Sequence, residues 1–233
     1  MDNKIETGVR KMGLVDIETF LDVNKTIAKF LFDDVKFPWE VLPKLKVFIE
    51  QLGPYLPPEV YEKRGENIWI AKSAKVAETA SIAAPCIIDE GAEIRHCAFI
   101  RGSVIVGKNA VVGNSTELKN ALLFDGVQVP HYNYVGDSIL GYKAHFGAGA
   151  ITSNVKNDKT NVVVKLPLQS VDTGLRKFGA IVGDNAQVGC NSVLNPGTMI
   201  GRDTSIYPLS CVRGIIQADS IVKNNGKVMK RLK

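Results

Sequence analysis

Four side chains near the middle of this 233-residue chain could do chemistry together. Arg101 and Lys119 lie 18 residues apart, His131 follows in the run VPHYNYVGD, and Tyr134 stands three residues beyond it. An imidazole exchanges a proton near neutral pH, so His131 is a candidate general base. Tyr134 could hold that ring or a substrate oxygen. Arg101 and Lys119 could grip an anionic group such as a phosphate. Each also has a plainer reading, as a packed histidine, a packed tyrosine and two solvated charges. His145 lies further along the chain, His96 precedes Arg101, and Cys190 has no neighbour in sequence that would activate a thiol.

What must position these residues is a six-residue repeat. Ile70, Val76, Ile82, Ile88, Ile94, Ile100, Val106, Val112 and Leu118 recur at a constant interval of six. The series slips by one residue to Leu123, Val129 and Val135 and again to Leu140, Phe146 and Thr152. It resumes at Val182, Val188, Leu194, Ile200, Ile206 and Val212. A period of six belongs neither to an amphipathic helix nor to a half-buried strand; it marks a parallel β-helix. The fold class expected is therefore mainly β, a left-handed parallel β-helix of hexapeptides with three hexads to a coil. Twenty-one hexads predict seven coils, with Ile82 stacked on Ile100 and Leu118. On that geometry Arg101 and Lys119 occupy one position on successive coils, about 4.8 Å apart. Two cations so placed repel unless water or an anion lies between them.

The rest of the chain brackets the repeat. Residues 1 to 13 have no periodicity and are expected to be a lead-in. Ile17, Phe20, Leu21, Ile27, Ala28 and Leu31 follow helical spacing with Asp16 placed to cap them, which predicts one amphipathic helix. A second is predicted through Leu42, Leu45, Phe48, Ile49 and Leu52, stopped by Gly53 and Pro54. The domain reading is a helical cap and linker over 1–65, covering the first coil, and the β-helix over 66–233. The break from Val155 to about Ala180 is read as a looped-out hairpin, with strands near Val162–Leu166 and Lys177–Ile181.

A content of 45% hydrophobic and 23% charged residues is that of a globular protein, and no apolar run is long enough to span a membrane. No signal peptide is visible, so the expected compartment is the cytoplasm. Cys86, Cys97, Cys190 and Cys211 form no C-x-x-C pair and are expected to be buried small side chains, without disulfide or metal. The net charge of +5 is partly in the tail, at Lys223, Lys227, Lys230, Arg231 and Lys233. No basic stripe is interleaved with aromatics, so nucleic acid is not an expected partner.

The stretch VPHYNYVGDSILGYKAHFGAGAITSN resembles the acetyltransferase part of the bifunctional glucosamine-1-phosphate acetyltransferase/N-acetylglucosamine-1-phosphate uridylyltransferase family, including its archaeal sugar-phosphate members. The resemblance covers about residues 68 to 222. It implies a homotrimeric left-handed β-helix that binds acetyl-CoA between subunits and acetylates the amine of an amino-sugar 1-phosphate. By position it implies His131 as the catalytic base, Arg101 and Lys119 as the grip on the sugar phosphate, and Tyr134 and Asn154 as substrate contacts. Ala148 falls on a residue lining the coenzyme site. Cys190 replaces a serine near the thioester, Pro208 a coenzyme-side alanine, His145 a substrate-binding asparagine and Val155 a tyrosine. Lys223 is grouped with the coenzyme-side positions. KFPWEVLPKL resembles the connector of the bifunctional chains, whereas their nucleotidyltransferase motif is missing, so uridylyl transfer is not expected. Two other readings share the fold: a non-catalytic sugar-phosphate or nucleotide-sugar binding or trimerisation module, and a zinc hydratase. The hydratase needs a close histidine pair that is not seen among His96, His131 and His145.

Overall fold

A computed structural model describes residues 15–166 and 169–231. The lead-in expected over residues 1–13 and the terminal Lys233 lie outside the described residues. From Ile68 to Val222 the chain winds as a three-sided parallel β-solenoid in which each short strand pairs with its counterpart one coil away. The stacked column Ile82, Ile100, Leu118 is present as expected. The repeating aliphatic positions point inward and are buried from Ile88 onward, while Val76 and Ile82 of the open first coil are half-buried.

Eight strands stack on the face that begins with Ile68–Ala71, eight on the face that begins with Lys75–Val76, and seven on the face that begins with Ser81–Ile82. We call these the first, second and third faces. The expected count of seven coils was short by a partial eighth. Ile216 pairs with Ile200 and Val222 with Ile206, although Ile216 follows Val212 by only four residues and so breaks the period of six. Coils stack closely enough that a Cβ at Gly113 would lie 1.6 Å from the Pro130 carbonyl oxygen, which is why that strand position lacks a side chain.

The first face is apolar outside as well as inside. Ile87, Ile105, Leu122, Ile139, Ile181 and Met199 are outward-facing register partners, and every one is fully buried. The N-terminal segment covers them. The helix Leu45–Leu52 packs on Val104–Val106 and Glu117–Leu123, and the 3₁₀ stretch Pro38–Lys44 packs on Tyr134–Leu140. Trp39 meets Phe178 with ring centroids 5.9 Å apart, and Phe32 meets Phe124 at 6.0 Å. Thus the helical segment lies along one side of the solenoid. The edge of the first coil is closed by the antiparallel strand Tyr61–Lys63, and the other end by Val228–Lys230.

The expected single helix over Ile17–Leu31 is not formed. The chain makes one four-residue α-turn, Ile17–Phe20, and 3₁₀ turns at Val23–Lys25 and Lys29–Phe32, and Asp16 takes the N-cap position without a side-chain cap bond. Its polar groups bond elsewhere: the Asp22 N–H donates to the Asp184 carboxylate at 2.8 Å, the Asp22 carboxylate accepts from the Asn24 N–H, and Thr26 Oγ1 accepts from the Ala28 N–H. The second helix is present but starts as 3₁₀ around Pro43. The hairpin is also present, as Val163–Lys165 against Ser170–Asp172. Its second strand is not at 177–181, because Lys177 bridges Val155 and Ala180–Val182 has rejoined the first face. Of the four cysteines only Cys86 is buried; Cys97, Cys190 and Cys211 are exposed, since they lie at corners or point outward from strands.

Because Trp39 is 1% exposed and anchors the cover of the first face, Trp39→Ala should cost about 3–5 kcal/mol of unfolding free energy in a guanidinium titration. A loss below about 1 kcal/mol would show that the cover contributes little to stability.

Candidate functional site

The site begins where the repeat is short by one residue. Leu118 to Leu123 and Val135 to Leu140 are five apart rather than six, and there Glu117–Leu123 and Tyr134–Leu140 run as unbroken strands through the corner between the third and first faces. Asn120 and Asp137 turn these corners with φ near +47°, a left-handed conformation that Asn and Asp tolerate better than most residues. Their side chains meet, Asn120 Nδ2 donating to Asp137 Oδ1 at 2.9 Å.

Asp137 is the centre of the resulting cluster. It is 3% exposed, and Lys119 Nζ donates to both its oxygens at 2.8 and 3.1 Å. Asn154 Nδ2 donates to Asp137 Oδ2 and also to the Tyr134 hydroxyl at 3.2 Å. Arg101, one coil below Lys119, donates to Glu117 Oε1 at 2.7 Å. The expected repulsion between Arg101 and Lys119 is therefore relieved inside the chain, by two carboxylates, and needs no external anion. Burial, and then the Asp137 charge, push the Tyr134 hydroxyl pKa above its ordinary value, so the phenol keeps its proton.

His131 stands at the opposite corner of the third face. Its imidazole is exposed, while its backbone is fixed: its N–H donates to Asn133 Oδ1 at 3.1 Å and its carbonyl accepts from the Gly149 N–H at 3.0 Å. Asn133, 2% exposed, donates in turn to the Gly147 and Ala150 carbonyls and ties this corner to the next coil. The half-buried His145 projects from the second face on that coil. Its pKa is held below the ordinary histidine value, first by burial and then by the charge of His131.

Backbone hydrogen bonds define a column through this corner. Gly149 N–H donates to the His131 carbonyl, Asn191 N–H to the Ala148 carbonyl, and Leu209 N–H to the Cys190 carbonyl. His131, Ala148, Cys190 and Pro208 therefore occupy one corner position on four successive coils, and none is fully buried. Lys223, next to the Val222 that pairs with Ile206, lies at the far end of the second face. Beside His145 an open groove of about 610 Å³ is lined by Asn109, Gln128, Lys143, Asn185 and Gln187. At the base of the hairpin, Val155, Lys159, Arg176 and Lys177 line a second of about 450 Å³.

Thus Arg101, Lys119, Tyr134 and Asn154 form one cluster, His131, Ala148, Cys190 and Pro208 lie at the far edge of the same face, and His145 projects from the second face beyond that edge. Glu117, Asn120 and Asp137 were missed from the sequence. The signal was there for Asp137, which lies in VPHYNYVGD and 18 residues after Lys119. Among the described residues no three His, Cys, Asp or Glu side chains come together as a metal-binding group, and no helix is long and apolar enough to cross a membrane.

Comparison with known proteins shows what this chain is similar to. The chain is 32% identical over 213 residues to a bifunctional protein GlmU of Methanococcus maripaludis, covering 82% of this chain and 47% of the relative. This chain is a relative of the GlmU proteins. A bifunctional sugar-1-phosphate nucleotidylyltransferase/acetyltransferase of Sulfurisphaera tokodaii is 30% identical over 194 residues, covering 75% of this chain and 44% of that one. The chain thus spans about half the length of the curated relatives it matches. The family model described as the GMPPB C-terminal domain matches residues 82–168. Among solved structures, a mutant of AntD, an N-acyltransferase from Bacillus cereus in complex with dTDP and coenzyme A, shares 19% identity at a TM-score of 0.37, covering 70% of this chain and 84% of that one. That likeness is too distant to bear on function. The GlmU relationship agrees with the resemblance carried by the His131–Asn154 stretch.

Because the folded pKa of His145 is depressed, the unfolded chain binds this proton more readily. Stability from His145 is therefore present above the ordinary histidine range and is lost as pH falls through that range toward the folded pKa. An NMR titration should place the His145 midpoint below about 6.5, and His131→Ala should move it upward. A midpoint that does not move in His131→Ala would show that the two rings do not interact.

Proposed function

We propose that this protein transfers an acetyl group from acetyl-CoA to the amine of an amino-sugar 1-phosphate, with His131 as general base. The observation that carries this reading is the layout of the third face. A proton acceptor stands at one edge with the low, partly exposed column Ala148, Cys190, Pro208 beyond it, and a cation pair stands at the other edge, with Tyr134 between. The relationship to GlmU supports it.

In this reading the coenzyme lies along the Ala148–Cys190–Pro208 column, reaching toward Lys223, and the sugar spans the face. Arg101 is exposed enough to turn from Glu117 to a phosphate, and Lys119 has one N–H left after its two bonds to Asp137. Binding at the phosphate holds the amine in place, so orientation comes from contacts remote from the reacting carbon. The amine nitrogen attacks the thioester carbonyl, His131 takes the proton that nitrogen must lose, the C–N bond forms, the C–S bond breaks, and the thiolate leaves to be protonated by His131. No covalent enzyme intermediate is needed, and Cys190 packs beside Gly147 without a base. His145, at a position where the resemblance expects asparagine, can do an amide's work: with its pKa depressed, the neutral ring offers one donor and one acceptor.

Among the described residues nothing covers the second and third faces as the first is covered, and large apolar side chains stand out beside them, Phe99 at 42% exposed and Leu209 at 69%. We assign these faces to neighbouring copies in a homotrimer, with the coenzyme between subunits. A non-catalytic sugar-phosphate binding module is the second reading, favoured by His145 and Val155 standing in place of the expected asparagine and tyrosine.

Turnover of glucosamine 1-phosphate and related amino-sugar phosphates, followed as release of the CoA thiol, separates the two. His131→Ala should lower kcat by roughly 10²- to 10⁴-fold with coenzyme affinity nearly unchanged. Lys119→Ala should act mainly on KM for the sugar phosphate, by a contact worth about 1.5–3 kcal/mol. Wild-type kcat in His131→Ala would leave the histidine structural, and no turnover by the wild type would select the binding module. Light scattering should give a trimer, and a stable monomer would remove the shared site.

A further inference from the structure

The residue the proposed chemistry does not use is the one most tightly held. Asp137 lies behind the face, 3% exposed, and everything around it donates: Lys119 Nζ, Asn120 Nδ2 and Asn154 Nδ2. A carboxylate paired with an ammonium only accepts hydrogen bonds, so the Asn154 amide must turn its nitrogen inward. The second N–H of that nitrogen goes to the Tyr134 oxygen at 3.2 Å. Both Asn154 donors are then used, and among the described residues its Oδ1 accepts no bond. The Tyr134 oxygen, already an acceptor from Asn154, has its own proton to give.

We propose that Asp137 is a positioning residue that sets the donor and acceptor direction of this network, so that the site presents one acceptor, Asn154 Oδ1, and one donor, the Tyr134 O–H, to the acceptor sugar. The inference rests on the site assigned above. Its chemistry suits a substrate bearing an N–H beside an oxygen, as an amino sugar does. The N–H meets Asn154 and a ring or hydroxyl oxygen meets Tyr134. The phenol's raised pKa agrees with its role as donor. An amide reversed by rotation would offer two N–H groups to the attacking amine and oppose its approach.

Asp137→Asn tests the direction, because it keeps the shape and removes the constraint. The introduced amide would bring N–H groups of its own, and Asn154 would turn its oxygen inward to meet them. We expect kcat to fall on the order of 10- to 100-fold, the range that misplaced reacting groups produce. KM for the sugar phosphate should not rise, since Lys119 is no longer shared with a carboxylate. A kcat within twofold of wild type, or a loss that appears only as a raised KM, would overturn the proposal. The double variant Asp137→Asn/Asn154→Asp restores a bonded pair with the same atoms and charge but with the direction reversed. It should recover the thermal midpoint and not kcat. Recovery of both would mean that Asp137 only holds the fold together. A readout independent of turnover is the Asn154 side-chain NH₂ signal in the wild type, assigned by its loss in Asn154→Asp. Its protons should exchange with solvent slowly. Exchange at the rate of a free amide would overturn the assigned orientation whatever the variants do. If the wild type acetylates no amino-sugar phosphate, the proposed function fails while this signal still decides the orientation.

Discussion

In a parallel solenoid the backbone of each coil is bonded to the coils above and below it, so a residue's neighbours are fixed one coil away in sequence. That constraint turns a one-residue change in repeat length into a structural event. Where Leu118–Leu123 and Val135–Leu140 fall one short, the strands run unbroken through the corner in register, and Asn120 and Asp137 take the left-handed backbone that other corners of the solenoid also use. Both shortened corners fall on the same edge of adjacent coils, so their side chains are brought into contact. A buried carboxylate is costly unless it is bonded and paired, and the donors that satisfy Asp137 come from neighbouring coils. The polar cluster is therefore a product of the irregularities in the repeat.

The three faces of the solenoid do different work because their outward residues differ. On the first face these are Ile, Leu and Met, and the N-terminal segment buries them, each side chain contributing roughly 1.5–3 kcal/mol of burial. That face is closed by the chain's own residues, and the proposed reading gives the second and third to ligands and other copies. The third carries Glu117, Tyr134 and their neighbours between two chemically distinct corners. Placing a cation pair at one corner and an imidazole at the other makes the width of one short strand the ruler of the site.

Carboxylate pairing also changes how the two cations act. Arg101 and Lys119 with Glu117 and Asp137 make a balanced set of charges, so in the proposed reading a phosphate would be met by groups that must be shared or released rather than by bare positive charge. Such a site favours a ligand whose other contacts also fit. Tyr134, Asn154 and the neutral His145 are suited to supply them.

Read alone, the period of six was enough to determine a parallel three-sided solenoid, most of its inward residues, the break that holds the hairpin and the column shared by Arg101 and Lys119, because that period is a direct imprint of the coil. Residue chemistry pointed to His131 and Tyr134, and the resemblance carried by the stretch from Val129 to Asn154 added Asn154. The tertiary structure alone decided three other things. The helix expected over Ile17–Leu31 gave way to short turns because its polar groups bond across the fold, to Asp184 among others. The outward apolar stripe was hidden because its members come once per coil, 17 or 18 residues apart in most cases, and are mixed with polar outward residues of the other two faces. The role of Asp137 was hidden because local sequence does not say which coil's lysine, asparagine and tyrosine will surround a carboxylate. Only the stacking register, altered by the two short corners, brings them to it.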